Sequence, residues 1–300
     1  MRGLFIINPS SGKQNIKETI RSICGRLIVS EIANTIDVFY TKKQDDAKNR
    51  AAQLKEGEYD FVVSVGGDGT LNEVINGLVI SESKIPLAII SAGTVNDFAN
   101  SMGLPQTPKA FCDMIKNFKY QEVDVGKVNN EYFINVIAGG LLTDVAYKVP
   151  KDKKAVMGKF AYYIEGAKDL PNQIFNTLTL KFESEEYTRE ENIMLFLVMN
   201  SNSVGGYKDA APLASVSDGV LDVVVLRKLE FLEVSNLVFK LMQGDYINHP
   251  AVQYFQTKYL KVSMVGETES VAIDYDGELL KEGLPIEISI LPKQIKILVP

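Results

Sequence analysis

Three hundred residues, 46% hydrophobic and 23% charged, suffice for two domains with cores of their own and argue against a disordered chain. The net charge of −6 leaves no excess of Lys and Arg for a phosphate backbone, which argues against nucleic acid as a partner. The single histidine, His249 beside Pro250, reads as a loop residue, which argues against a Ser-His-Asp triad or a His-rich zinc site and leaves Asp or Glu, ahead of Lys or Tyr, as the expected general base.

In chain order, the apolar start (MRGLFII) is too short for a signal peptide and lacks a small-residue cleavage site, and no stretch approaches the ~18 apolar residues of a membrane span. A cytoplasmic protein is the expectation. Gly3–Ile7 reads as a strand, followed by the loop Asn8-Pro9-Ser10-Ser11-Gly12-Lys13 and a helix bearing Ile16, Ile20, Ile23, Cys24 and Leu27 on one face. Ile36–Tyr40 is the second strand, followed by Thr41–Asp46 and a helix with Ala47, Ala51 and Leu54. Cys24 and Cys112 both fall on apolar helix faces and read as buried free thiols.

The third strand, Phe61–Val65, leads into Gly66-Gly67-Asp68-Gly69-Thr70, and from Leu71 the positions Leu71, Val74, Ile75, Leu78 and Val79 form a helical stripe. Glycines at such a turn let backbone N–H groups approach a ligand, and the helix N-terminus favours a phosphate. Asp68 adds a cation to the reading, because a carboxylate beside a polyphosphate is repelled unless Mg²⁺ stands between them. A plainer reading stays open on the turn alone: Thr70 and Glu73 match the capping box T-x-x-E.

Leu87–Ser91 is the fourth strand, followed by Ala92–Asp97, a short helix around Phe98 and a helix over Pro108–Phe118. Strands alternating with helices predict a doubly wound parallel sheet, whose ligands bind outside the carboxyl ends of the strands. All four strands end in loops rich in Gly, Ser, Thr, Asn or Asp (NPSSGK, TKKQDD, GGDGT, AGTVND), so a nucleotide cleft is expected there.

From about Tyr120 strands dominate: Gln121–Val128, Tyr132–Ala138, Leu178–Ser184, Asn192–Ser201, Val220–Arg227, Lys258–Val265, Ser270–Tyr275 and Ile286–Leu291, with helices over Gly158–Leu170 and Phe231–Gly244. Asn129-Asn130 fits a hairpin turn. The expectation is an α/β domain over residues 1–122 and a mostly antiparallel β-sandwich over 123–293, with the last strand, within 294–300, free to return to the first domain.

Five motifs then carry a resemblance: NPSSG at 8–12, GGDGTLNEV at 66–74, GTVNDFA at 93–99, VDVGKV at 123–128 and DGE at 276–278. In this order they resemble the soluble bacterial diacylglycerol kinase and lipid kinase family, related to sphingosine kinases and more remotely to NAD kinases and phosphofructokinases. The resemblance implies ATP between two domains, with its phosphates facing the glycine-rich loop. By position, the nucleotide site would comprise Asn8, Ser10, Ser11, Gly12, Lys13, Thr41, Gly66, Gly67, Asp68, Gly69, Thr70, Leu71, Asn72, Glu73, Gly93, Thr94 and Asn96.

The resemblance also implies that Asp68, Asp97 and Asp124 form a network around catalytic Mg²⁺, and that Asp276 or Glu278 takes the proton from the lipid hydroxyl. In an extended chain these last two carboxylates would point the same way, whereas Asp276-Gly277 alone reads as a hairpin turn. Asp218, with the carbonyls of Ser215 and Val220, would hold a second, structural Mg²⁺; Asp218-Gly219 alone reads as a turn. Two departures stand out. Ser91-Ala92 replace the family's usual Pro and its neighbour before Gly93-Thr94, and Val95 fills a position that is often small. Neither removes a donor or a carboxylate.

The expected activity is transfer of the γ-phosphate of ATP to a lipid hydroxyl, with diacylglycerol first. The rivals are another lipid acceptor (phosphatidylglycerol, a monoacylglycerol or a sphingoid base), an NAD kinase-like enzyme with a soluble acceptor, and a nucleotide-binding regulator. The substrate would be met at a membrane surface. Lys148, Lys151, Lys153, Lys154 and Lys159, interleaved with Val149, Val156, Met157 and Phe160, suit peripheral contact with anionic lipid as well as they suit a solvated loop. Monomer and homodimer both remain open.

Overall fold

The computed structural model describes residues 1–11, 16–140, 177–229, 231–266 and 271–300. The helix expected over Gly158–Leu170 and the five lysines of the expected membrane contact lie outside them. Two compact units result, residues 1–125 with 292–300, and residues 126–291.

In the first unit, strands β1 (Arg2–Ile7), β2 (Thr35–Tyr40), β3 (Phe61–Gly66) and β4 (Leu87–Ser91) pair in parallel in the order β2-β1-β3-β4. Helices α1 (Ile16–Val29), α2 (Asp46–Ala52), α3 (Asp68–Ile80), α4 (Asp97–Ser101) and α5 (Pro108–Asn117) link and follow them. β1, β3 and β4 are mostly apolar and buried along nearly their whole length because both faces are covered. Phe5, Val63 and Ile90 meet Ile23 and Leu27 of α1 and Phe111 and Ile115 of α5 in one core. On the other side α2 crosses α3 closely enough that a Cβ on Gly77 would stand 2.4 Å from the Lys48 carbonyl oxygen. Cys24 and Cys112 are free thiols, and burial pushes both up. Thr107 caps α5 by accepting from Ala110 N, with Pro108 at the first helical position.

β5 (Lys119–Val128) carries the chain into the second unit, where a hairpin turn at Asn129-Asn130 leads into β6 (Glu131–Phe133). There follow β7 (Val136–Gly139), β8 (Leu178–Glu183), β9 (Thr188–Met199), β10 (Leu221–Arg227), α6 (Phe231–Gln243), β11 (Val252–Thr257), β12 (Tyr259–Met264), β13 (Ile273–Tyr275), β14 (Glu278–Leu279) and β15 (Ile286–Val299). β9 is the spine of this unit: antiparallel to β7 and β8 along one edge and to β10 along the other. Its apolar run is buried on both faces. Phe196 and Val198 enter one core, and Leu195, Leu197 and Met199 enter a second core with Leu237 and Leu241 of α6.

β15 begins beside β12 and ends in the first unit, where Ile297 pairs in parallel with Leu87. The strand expected over Gln294–Val299 is therefore the second half of one long strand. Among the described residues no helix is long and apolar enough to cross a membrane.

Candidate active site

The glycine-rich turn is tighter than its sequence suggests. α3 starts at Asp68 rather than Leu71, with Gly67 extended just before it, so the carboxylate belongs to the first residue of the helix. The capping box is not used. Thr70 Oγ1 instead accepts from Asn8 Nδ2 at 3.1 Å, and Glu73 Oε2 accepts from Ala47 N at 3.1 Å, in the first turn of α2. The loop after β1 is thereby fastened to α3.

The loop after β4 lies against this turn backbone to backbone. A Cβ on Gly93 would stand 2.7 Å from Gly67 Cα, and one on Gly67 would stand 3.1 Å from Gly93 Cα. Ala92 N donates to Gly66 O at 2.7 Å and Asn96 N donates to Asp68 Oδ2 at 2.9 Å. Asn96 has a left-handed backbone, and its side chain closes the loop by accepting from Gly93 N and donating to Gly93 O, both at 2.9 Å. Asp97 is the first residue of α4, so Asp68 and Asp97 both head helices at one place.

Ser10 and Ser11 are organised by Asn8, which accepts from Ser10 N at its side chain and from the Ser11 hydroxyl at its carbonyl. Thr41 extends the sheet by donating its N–H to Ile7 O at 2.9 Å. Thr94 is exposed. A cavity of about 270 Å³ lies beside this loop, lined by Thr94, Val95 and Asn96, by Ile16 and Thr19 of α1, and by Gln106 and Phe111. Leu71 and Asn72 turn inward, Leu71 into the core and Asn72 onto Asn76 Nδ2 at 2.8 Å. Gly12 and Lys13 lie outside the described residues.

Of the three carboxylates expected around Mg²⁺, Asp68 and Asp97 stand at the heads of α3 and α4 and Asp124 stands on β5. Among the described residues no three Asp, Glu, His or Cys side chains stand close enough to hold a metal ion. Asp124 is fully buried on β5, and its Oδ1 accepts from Lys293 N at 2.8 Å, where β15 bends through a left-handed residue. A buried carboxylate with a fixed backbone donor holds that bend. Asp68 and Asp97 remain at the turn.

In the second unit, Asp276-Gly277 is the two-residue turn of the β13–β14 hairpin, both residues having positive φ. The two carboxylates are therefore not alternate residues of one extended strand facing one way. Asp276 turns back and accepts from the N–H groups of Ile134 (2.6 Å), Asn135 (2.9 Å) and Val136 (2.9 Å), whereas Glu278 is exposed. Sequence reading missed these three backbone donors and the buried Asn135, Asn200 and Ser201 behind them; polar residues interrupting apolar strands were the available signal.

Asp218-Gly219 is also a turn, with Asp218 Oδ1 accepting from Val220 N at 3.1 Å. Asp222, four residues on, is buried, and its Oδ1 takes bonds from Tyr254 and Gln256. Burial pushes its carboxyl up to about 6 against those bonds. His249 is buried, and its Nδ1 accepts from Ala251 N, so it serves the loop.

Residues 2–128 match the diacylglycerol kinase catalytic domain, and residues 135–299 match the YegS C-terminal NAD kinase beta sandwich-like domain. A diacylglycerol kinase of Staphylococcus saprophyticus is 35% identical, over 93% of this chain and 90% of its own length. One of Bacillus subtilis is 33% identical, over 100% of this chain and 96% of its own. A solved structure from Bacillus anthracis, described as a candidate diacylglycerol kinase, superposes with a TM-score of 0.85 at 25% identity, over 100% of this chain and 95% of that one. Yeast NADH kinase complexed with NADH shares the fold, with a TM-score of 0.55 at 10% identity, over 100% of this chain and 84% of that one.

Proposed function

The chain belongs to the diacylglycerol kinase family and is a lipid kinase, and on that premise we propose that it transfers the terminal phosphoryl group of ATP to the hydroxyl of diacylglycerol, giving phosphatidic acid. The observation that carries this reading is the contact of Gly67 with Gly93, locked by the Asn96 N to Asp68 bond. It leaves a surface without side chains beside the N-terminus of α3, where phosphates can approach backbone N–H groups. Ser10, Ser11, Thr41 and Thr94 add hydroxyls at the ends of neighbouring strands.

Asp68 and Asp97, each heading a helix, fit Mg²⁺ as hard oxygen donors. The ion, when bound, neutralises charge on the phosphates. Asp218 with the Ser215 and Val220 carbonyls offers a second oxygen-only set, of structural use. Glu278 is the proposed proton acceptor. Asp276 is a poor base because three N–H donors stabilise its anion, whereas Glu278 stands exposed at the next turn position but one. The lipid is met at a membrane surface.

A detergent-micelle assay with labelled ATP, a panel of lipids and, in a parallel reaction, NAD tests the proposal. Labelled phosphatidic acid supports it. A product from another lipid moves the acceptor, labelled NADP moves the enzyme to a soluble substrate, and nucleotide binding without turnover leaves a regulator.

A further inference from the structure

β13 and β14 form a short hairpin, three residues against two, and such an element has little hold of its own. Its place is set by β7. Ile273, Asp274 and Tyr275 pair with Gly139, Ala138 and Ile137, and Asp276 N donates to Val136 O at 3.0 Å. The Asp276 carboxylate then doubles back over the same strand end and collects three consecutive N–H groups.

Those donors are presented because the chain leaves the ladder at Ile134-Asn135, between β6 and β7. The break is braced from behind by buried polar groups. Asn200 Nδ2 donates to Ile134 O and Asn200 N to Asn135 O, both at 2.9 Å, and the Ser201 hydroxyl donates to Asn135 Oδ1 at 2.9 Å. Asn135 is 5% exposed, and Asn200 and Ser201 are fully buried. A buried, satisfied network of this kind specifies one geometry. Its outermost member is the residue two before Glu278.

We infer that Asp276 is a positioning residue for Glu278, its carboxylate clamping the hairpin to the N–H groups of Ile134, Asn135 and Val136 and so fixing where Glu278 projects. The inference rests on the proposal that Glu278 accepts the proton. Asp276 neither takes the proton nor touches the substrate; it acts through the turn. Gly277 N, which donates to Asp274 Oδ1 at 2.9 Å, holds the other side of that turn.

The test compares full-length wild type, Asp276→Asn and Glu278→Gln in the micelle assay, recording kcat, KM for ATP and the pH profile of kcat/KM, with melting temperatures alongside. Asp276→Asn places an amide N–H against backbone donors, so the turn shifts. It should lower kcat about 10- to 100-fold with KM for ATP little changed, and the acidic limb of the profile should persist. Glu278→Gln should lose that limb. Loss of the limb in Asp276→Asn with its retention in Glu278→Gln overturns the inference and makes Asp276 the base. A wild-type kcat in Asp276→Asn also overturns it, leaving a clamp that only stabilises. Retention of the limb in both variants rejects Glu278 as proton acceptor and removes the premise. If Asp276→Asn does not fold, Ser201→Ala removes the brace behind Asn135 and touches neither carboxylate. A several-fold loss of kcat with an unchanged limb supports the inference, and an unchanged kcat overturns it.

Discussion

Asn96 donates its main-chain N–H to Asp68 Oδ2 at 2.9 Å, joining two loops that are 28 residues apart. The bond makes Asp68 serve twice. It stabilises the start of α3 as an acidic first-turn residue, and it holds the loop after β4 against the glycine turn. A carboxylate so fixed loses little freedom when a cation binds.

Asp68→Ala should abolish detectable turnover and leave the far-UV circular dichroism unchanged. Removing a hydrogen bond to a charged acceptor costs about 1.5–3 kcal/mol, a cost that a domain with this core survives. Asp68→Asn keeps an oxygen for Asn96 N but drops the charge, so it should recover stability and not activity. Wild-type kcat in Asp68→Asn would remove the electrostatic role.

Gly93→Ala should weaken ATP binding by at least about tenfold, or about 1.4 kcal/mol, because its methyl group must displace Gly67 Cα, 2.7 Å away. Equilibrium titration measures this. An unchanged Kd would show that the contact of the two glycines does not shape the phosphate surface.

Two other glycines should respond with opposite signs. A Cβ on Gly77 meets Lys48 O at 2.4 Å and Ala51 Cβ at 2.5 Å, so Gly77→Ala should destabilise by about 1–3 kcal/mol. Gly25, in α1, has nothing within 4 Å of a built Cβ, so Gly25→Ala should stabilise by about 0.5–1 kcal/mol. Urea midpoints decide both, and equal shifts would contradict the packing argument.

Acid stability should depend on Glu191. Burial alone would raise its carboxyl, but hydrogen bonds from Arg227, at 2.8 and 2.9 Å, and from Tyr187 overcome this and hold it below the usual range. The folded value lies below the unfolded value of about 4.3, so the contribution is complete above that pH and fades as pH falls through the folded value. The urea midpoint of Glu191→Gln should therefore fall short of wild type most near neutrality and converge with it in acid. A gap independent of pH would contradict the assignment.

Much of this was legible in the sequence where one physical rule dominates. Runs such as Phe61–Val65 and Leu87–Ser91 are apolar but for Ser64 and Ser91 because a parallel sheet is covered on both faces, and those strands stand as read. Where rules compete, the reading slips. The strand Val252–Thr257 (VQYFQT) went unread; its polar positions break the apolar alternation that marks a strand. Ile286–Leu291 and the strand after Gln294 read as two strands, yet Asp124 holds the chain through the bend at Lys293 and the two are one.

The site was legible as motifs and less so as roles. Thr70 and Glu73 match a capping pattern but serve Asn8 and Ala47, because α3 begins three residues earlier than its apolar stripe. Asp276 and Glu278 are separated by a left-handed turn that strand periodicity does not register. The backbone donors of Ile134–Val136 carry no signature of their own. The signal that was available, the polar Asn135, Asn200 and Ser201 beside apolar runs, went unread.

Titration calorimetry of ATP into the full-length chain, with Mg²⁺ and with a chelator, tests the central claim most directly. Micromolar binding with Mg²⁺ is expected, at least about tenfold weaker without the ion, with that difference abolished in Asp68→Ala. Absence of nucleotide binding under both conditions would contradict the claim that the Asp68 turn holds the phosphates of ATP.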